Sequence, residues 1–382
     1  MAQWNRVPLI DYIELIGGGT PKTTVPEYWN GNIPWLSVKD FNNDKRYVYS
    51  TEKHISQSGF ENSPTKMLHK DDIIISARGT VGEIAMIPFD MAFNQSCYGI
   101  RASRGIDKPF LYYLLKNCIS QLKRMTHGSV FDTITRDTFA NIEVDIPDAE
   151  TQKRISSVLA DIDNKIEVND AINDNLQQQA ATLFKALFVD HAPFDGTMPP
   201  NWTISTLGDV TEMGAGGDKL KESSPVKTPL CPYPIYSNGI NDYGLYGYTN
   251  DPKIKVESVT VSARGTIGYV CLRHTPYVPI VRLVTLIPDT KVLSAKYLYL
   301  YLRQLHITGT GTTQQQLTVP DFRKTEIVIP DKNTMDAFTE TVTPLFEQIW
   351  ANEDENTKLA EVRDALLPKL MSGEIDVSAV QL

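Results

Sequence analysis

Residues 76–82 read Ser-Ala-Arg-Gly-Thr-Val-Gly, and residues 262–268 read Ser-Ala-Arg-Gly-Thr-Ile-Gly. An arginine and a threonine thus recur in matching places, Arg78 with Thr80 and Arg264 with Thr266. An arginine in such a turn can donate to a phosphate or to the edge of a guanine. It can equally brace its own turn by bonding backbone carbonyls, and both roles stay open. Further donors lie in polar loops: Lys22, Lys39, Arg46, Lys219 and Lys221. Each suits a phosphate contact or plain solvated surface. Gln314, Gln315 and Gln316 follow a Gly-Thr-rich turn, and glutamine can read adenine through two hydrogen bonds. Ser129 to Thr133, at the matching place after the first turn, has no glutamine, so the two places would make different contacts. Tyr233, Tyr236, Tyr243 and Tyr246 are more often packing residues than stacking platforms.

Catalytic patterns are missing. Transfer of a methyl group to an amine needs an Asn/Asp-Pro-Pro-aromatic loop, and Pro199-Pro200-Asn201-Trp202 has those residues in the wrong order. Gly18-Gly19-Thr20-Pro21-Lys22-Thr23 lacks phosphate-loop spacing, and Pro21 removes a backbone donor. Gly214-Ala215-Gly216-Gly217 is too short to mark a nucleotide site. Cys97, Cys118, Cys231 and Cys271 are scattered, without a CxxC pair or finger-spaced histidines, as expected of reduced intracellular thiols. No histidine–carboxylate cluster points to metal hydrolysis. We expect no catalytic residue and no metal or cofactor site on this chain.

The elements that carry these side chains come in two copies. Trp4, Leu9, Asp11 and Gly18-Gly19 are answered by Trp202, Leu207, Asp209 and Gly216-Gly217 at an offset of 198. The arginine turns follow at 186, and Phe139 and Ile146-Pro147 face Phe322 and Ile329-Pro330 at 183. The drift marks two diverged domains with variable loops. Short apolar runs flank each arginine turn in a hairpin-like pattern, and one helix is expected in each copy, near residues 109–124 and 294–305. The composition, 41% hydrophobic and 22% charged, is that of an ordinary globular α+β protein. No apolar run reaches eighteen residues and no leader is visible, so a cytoplasmic protein without a membrane span is expected.

A long helical segment follows each copy. Ile155, Leu159, Ile162 and Ile166, then Leu176, Ala180, Leu183 and Leu187, trace one apolar seam. Phe338, Val342, Leu345 and Ile349, then Leu359, Leu366 and Leu370, trace the other. Such seams suit helix–helix packing. Asn169 and Asn173 interrupt the first seam where Asn352 and Asn356 interrupt the second, and polar core residues fix register. An antiparallel pair would set Asn169 beside Asn356 and Asn173 beside Asn352. Parallel helices aligned end to end would also bring the pairs together, but chain connectivity favours the antiparallel arrangement. Pro344 predicts a kink or a true start of the second helix, and Arg363 stands where the first seam has Ala180.

Charge leaves nucleic acid open. The net charge of −9 comes mainly from residues 149–190, with 4 basic and 7 acidic residues, and 331–382, with 4 and 11. The large blocks are near neutral, so one face of either can still be basic. The exposed acids Glu353, Asp354 and Glu355 suit a protein partner better than phosphate.

Five stretches together resemble one family: residues 17–41 (GGGTPKTTVPEYWNGNIPWLSVKDF), the two arginine turns, 233–244 (YPIYSNGINDYG), 164–176 (NKIEVNDAINDNL) and 363–375 (RDALLPKLMSGEI). They look like the specificity subunit of type I restriction–modification systems, over essentially the whole chain. The resemblance implies an α+β protein with two pseudo-twofold-related target-recognition domains, residues 1–148 and 191–330. Two long antiparallel helices, 149–190 and 331–382, would form a coiled coil that separates them. It implies recognition of a split double-stranded DNA site without catalysis, and docking of two modification subunits and of restriction subunits. S-adenosylmethionine, ATP and Mg²⁺ would then sit on those partners. A single-chain restriction or methyltransferase enzyme and a coiled-coil scaffold that binds no DNA are the rival classes.

Overall fold

The computed structural model of the chain describes residues 4–126, 133–309 and 315–380. The chain divides into two compact units, residues 1–171 with 352–382, and residues 172–351.

Among its described residues, the first unit holds a four-stranded sheet in the order Ile13–Gly17, Cys97–Ala102, Ile73–Ser76, Ile84–Met86. The second unit repeats that order with Thr211–Ala215, Val284–Pro288, Ser258–Val261 and Val270–Arg273. These central strands are rich in Ile and Val and are buried on both faces, Ile73, Ile74 and Ile75 being at most 1% exposed. A helix covers each sheet, Lys108–Thr126 in the first unit and Ala295–Gln304 in the second. Each unit also has a smaller sheet with a parallel pair: Trp29–Leu36 beside Met91–Phe93, and Tyr233–Tyr236 beside Val278–Pro279. A two-stranded ribbon closes each copy. Asn5 pairs with Ile146 in the first and Thr203 with Ile329 in the second.

Two long helices, Ala149–Phe188 and Lys332–Met371, contribute to both units. In the first unit their pairing is antiparallel: Asp163 meets Arg363, and Asn169 meets Asn356. In the second, Phe184 and Phe188 pack their rings on Phe338, 6.1 and 4.9 Å between centroids.

Three helix expectations need correction. The second helix runs unbroken through Pro344. Both Pro344 and Glu340 are exposed, so the carbonyl that loses its intrahelical bond faces water. The seam also rotates near its end. Leu183 is 37% exposed, while Phe184 and Phe188 are at most 6% exposed. The larger rings capture the core beside Trp202 and Tyr297, because aromatic burial removes the greater apolar area from water. On the other helix Leu367, not the half-buried Leu366, is the fully buried residue, and Arg363 enters the core with it.

Candidate nucleic-acid interface

The seven-residue turn is built by its own side chains. Ser76 Oγ donates to Thr80 O at 2.5 Å and accepts from Glu83 N at 2.8 Å. In the second unit Ser262 Oγ donates to Thr266 O and accepts from Tyr269 N at 3.0 Å. Gly79 and Gly82 adopt φ of 78° and 86°, and Gly265 and Gly268 φ of 69° and 84°, which only glycine enters without strain. Ala77 and Ala263 are buried. Serine, alanine and glycine therefore recur for the turn's architecture, and the Arg and Thr side chains are left exposed on it.

In the first unit, this turn joins two other loops. Ser96 O accepts from Ala77 N at 2.8 Å and Arg78 N at 3.2 Å. The same loop reaches the glycine-rich segment, where Gly19 N donates to Phe93 O at 3.0 Å and the Thr20 hydroxyl bonds Gln95. A Cβ on Gly18 would lie 2.0 Å from Asn94 O, so close backbone approach demands glycine there. The resulting ridge exposes Lys22, Arg78, Thr80 and Gln95. Lys39 is exposed on the short helix Val38–Phe41.

The second unit makes the corresponding ridge from different side chains. Val281 N donates to Gly217 O at 2.7 Å and Arg282 N to Gly216 O at 3.0 Å, tying the glycine segment to residues held at φ of 53° and 66° respectively. Lys219 Nζ lies 4.9 Å over the Tyr246 ring, and Lys253 borders Gly217. Arg264 donates from Nε and Nη2 to Gln316 Oε1, at 3.2 and 3.0 Å. That arginine thus pairs with a glutamine side chain, leaving its own turn carbonyls to the serine. Lys219, Lys221, Arg264, Thr266 and Gln315 are exposed, and Gln314 lies outside the described residues. Such a ridge can neutralise phosphates and offer an arginine–glutamine couple to base edges.

Arg46 does not belong to this set. It is 9% exposed, its guanidinium donates to Ala160 O and Asn164 Oδ1, and Glu167 lies 3.5 Å away. It fastens the 42–48 segment to the first long helix, so desolvation keeps it from phosphate. Sequence reading missed Gln95, Lys253 and Arg282. Lys253 and Arg282 sit in ordinary polar context and gain meaning only from the loops they meet. Gln95 has a faint signal in the polar Asn-Gln-Ser run between two apolar strands.

Three of the four asparagines are buried, Asn169 at 1%, Asn173 at 6% and Asn352 at 5% exposed, while Asn356 is half-buried. Asn169 Nδ2 donates to Asn356 Oδ1 and to Glu355 Oε2, both at 2.8 Å, and Lys165 Nζ donates to Asn169 Oδ1 at 3.0 Å. Asn356 Nδ2 donates in turn to Asp170 Oδ1 at 3.0 Å. Glu355 bonds across the helix pair and is still exposed, its side chain at 46%. Asp354 remains exposed. Replacing Asn356 with alanine should cost about 1–3 kcal/mol, because the buried Asn169 amide loses a partner, and replacing Asn169 about 0.5–1.5 kcal/mol, because its partners are half-buried or exposed. The double variant should cost clearly less than the sum, a coupling of at least about 0.5 kcal/mol. Urea unfolding of all three would measure this, and strict additivity would contradict it.

Among the described residues no cluster suited to a metal ion is present, and no helix is long and apolar enough to cross a membrane. Burial pushes the Cys97 thiol up to about 12 and the Cys118 thiol up to about 11, so neither offers a thiolate nucleophile at neutral pH.

The family model described as the type I restriction modification DNA specificity domain matches residues 1–178 and 199–361. The chain is 27% identical over 410 residues to the type I restriction enzyme MjaIX specificity subunit of Methanocaldococcus jannaschii, covering 98% of this chain and 94% of that protein. It is 26% identical over 354 residues to the HindI specificity subunit of Haemophilus influenzae, covering 70% and 77%. A crystal structure of the S subunit of a type I restriction–modification system from M. genitalium shares the fold, with a TM-score of 0.57 at 16% identity over 97% of this chain and 96% of that one.

Proposed function

The chain belongs to the type I restriction–modification DNA specificity family, and from that premise we propose that it reads a split double-stranded DNA site, one part with each unit. The observation that carries this reading is the loop ridge built twice on the same strand order, with exposed cations in both copies and different side chains at matching places. Shared architecture with unlike contacts is what two half-sites of unlike sequence require. The first unit reads with Lys22, Lys39, Arg78, Thr80 and Gln95. The second reads with Lys219, Lys221, Lys253, Arg264, Thr266, Arg282, Gln315 and, on the same segment, Gln314.

Catalysis belongs to partners on this reading. Two modification subunits bring S-adenosylmethionine and methylate adenine, and restriction subunits bring ATP, Mg²⁺ and nuclease activity. The long helices, whose Asp354 stays exposed, dock the modification subunits, since acidic surface repels phosphate. Deleting this gene while keeping its partners' genes should abolish adenine methylation at one split motif, as seen by single-molecule sequencing of the host genome. Unchanged methylation at every split motif would refute the proposal.

A further inference from the structure

The connection between Tyr233–Tyr236 and Leu245–Thr249 in the second unit is held under strain. Asp242, Tyr243 and Gly244 adopt φ of 47°, 51° and 83° in succession. A bulky tyrosine in the left-handed region is rare, and such strain persists only where surroundings enforce it. Here the enforcing group is Arg273, 6% exposed. Its Nη2 donates to Tyr243 O at 2.7 Å, its Nε donates to Thr260 Oγ1 at 3.0 Å, and its guanidinium lies 3.6 Å over the Tyr236 ring. Ser237 N closes the loop on Gly244 O at 2.8 Å. The tip so fixed holds Ile240 at 48% and Tyr243 at 49% exposure.

This apolar tip stands within the basic ridge. Asn238 Oδ1 accepts from Ala263 N at 2.7 Å, beside Arg264, and its Nδ2 donates to Val281 O at 2.6 Å, beside Arg282. The corresponding connection of the first unit is built differently. Leu36 and Tyr236 occupy the same place, each carbonyl accepting from the chain leaving the parallel strand, Asn94 N at 3.0 Å and Ile280 N at 2.9 Å. Beyond Leu36, however, Ser37 opens a one-turn helix with a capping box, and its Phe41 is 1% exposed. Exposed apolar side chains on a rigid hairpin, fastened through Asn238 to the segments that carry Arg264 and Arg282, match the chemistry of a wedge that unstacks a base step while cations on those segments grip nearby phosphates. Asp242 at the tip is exposed too.

We propose that Ile240 and Tyr243 enter a base step in the half-site read by the second unit, opening and bending the duplex there. This rests on the DNA-reading assignment above and adds a deformation that only one half-site undergoes. Sequence preference at that step would then arise from how readily it unstacks. Arg273 is a positioning residue, since it acts through the backbone of Tyr243.

The test uses the chain co-purified with its modification subunits and a synthetic duplex carrying the mapped motif, with dyes at both ends. The variants are Tyr243→Gly combined with Ile240→Ala, and Tyr243→Phe alone. Glycine relieves the strained φ, so the double variant should keep or raise the melting temperature. It should nevertheless lose roughly tenfold or more in affinity, the order of one stacking contact, and lose the end-to-end shortening that reports the bend. Methylation should relax only in the second unit's half-motif. The phenylalanine variant retains the ring and should keep the end-to-end shortening. Affinity within twofold of wild type together with an unchanged bend would overturn the wedge while leaving the DNA-reading proposal standing. Failure of the wild-type complex to prefer its motif would instead overturn the DNA-reading proposal, and the wedge with it.

Discussion

Alanine in place of Arg363 should destabilise the first unit by about 3–5 kcal/mol, the usual cost of stranding one partner of a buried ion pair. The guanidinium is 3% exposed and donates to Asp163 Oδ1 at 2.9 Å, Asp44 Oδ2 at 2.8 Å and Asp364 Oδ1 at 2.9 Å. Asp44 and Asp364 are largely exposed, so solvent screens them and they contribute little. Asp163, 4% exposed, decides the outcome. It also accepts from Tyr113 Oη at 2.6 Å, and burial, with Asp163 beside it, pushes that phenol far up, so it stays a donor. One neutral donor cannot replace a cation, and the stranded carboxylate would be left costly. Replacing the pair together, Arg363→Met with Asp163→Leu, should recover most of the loss, since well-packed apolar residues often equal a buried pair. The second repeat already makes this exchange: the matching positions are Ala180 and Phe346, both buried. Urea unfolding would measure all three proteins. A single-variant loss below about 1 kcal/mol would show that the pair is not desolvated in solution.

That cluster shows what the sequence discloses and what it withholds. Arg363 is visible as a break in an apolar seam, because a charged residue at a periodic position stands out. Its partners are not visible: Asp44 lies 319 positions away, and Asp163 reads as a surface acid until the helix rotates it inward. Arg46 fails for the same reason in reverse, since a loop arginine between polar neighbours looks solvated while the fold lays it on the first long helix. The arginine turns are the most legible part of the site. Ser, Ala and two glycines at fixed spacing dictate one backbone, whichever domain holds them. Helix direction follows once Asn169 and Arg363 have partners at falling numbers on the other helix. The rotation toward Phe184 and Phe188 could not be read, because leucines and phenylalanines give the same periodicity and only ring packing decides between them. Lys253 and Arg282 depend on which loops meet, a property of tertiary structure alone.

Exchanging residues 5–146 for the matching segment of another family member should rewrite one half of the methylated motif and leave the other half unchanged. The exchange is feasible because the segment begins and ends on one ribbon: Asn5 lies opposite Ile146 and Pro8 opposite Glu143. Both junctions are thus neighbours and can be moved as a module. The core sets the condition. Leu9, Ile13, Phe110, Leu114 and Phe139 share a cluster with Ile155 and Leu159 of the first long helix and Leu367 and Leu370 of the second. An incoming segment must match those volumes, or the cavities left would cost a few kcal/mol. Given a folded product, each mismatched base pair costs about 1–3 kcal/mol, so two mismatches in the old half-site reduce affinity by about 30-fold or more. The second unit's contacts are unaltered, and contacts that share no partners add, so its half-motif should be methylated as before. Single-molecule sequencing of a host that expresses the exchanged chain with unchanged partners gives both halves in one experiment. Simultaneous change of both half-motifs would show that the two units do not read separately, and change of neither would place recognition outside the exchanged segment.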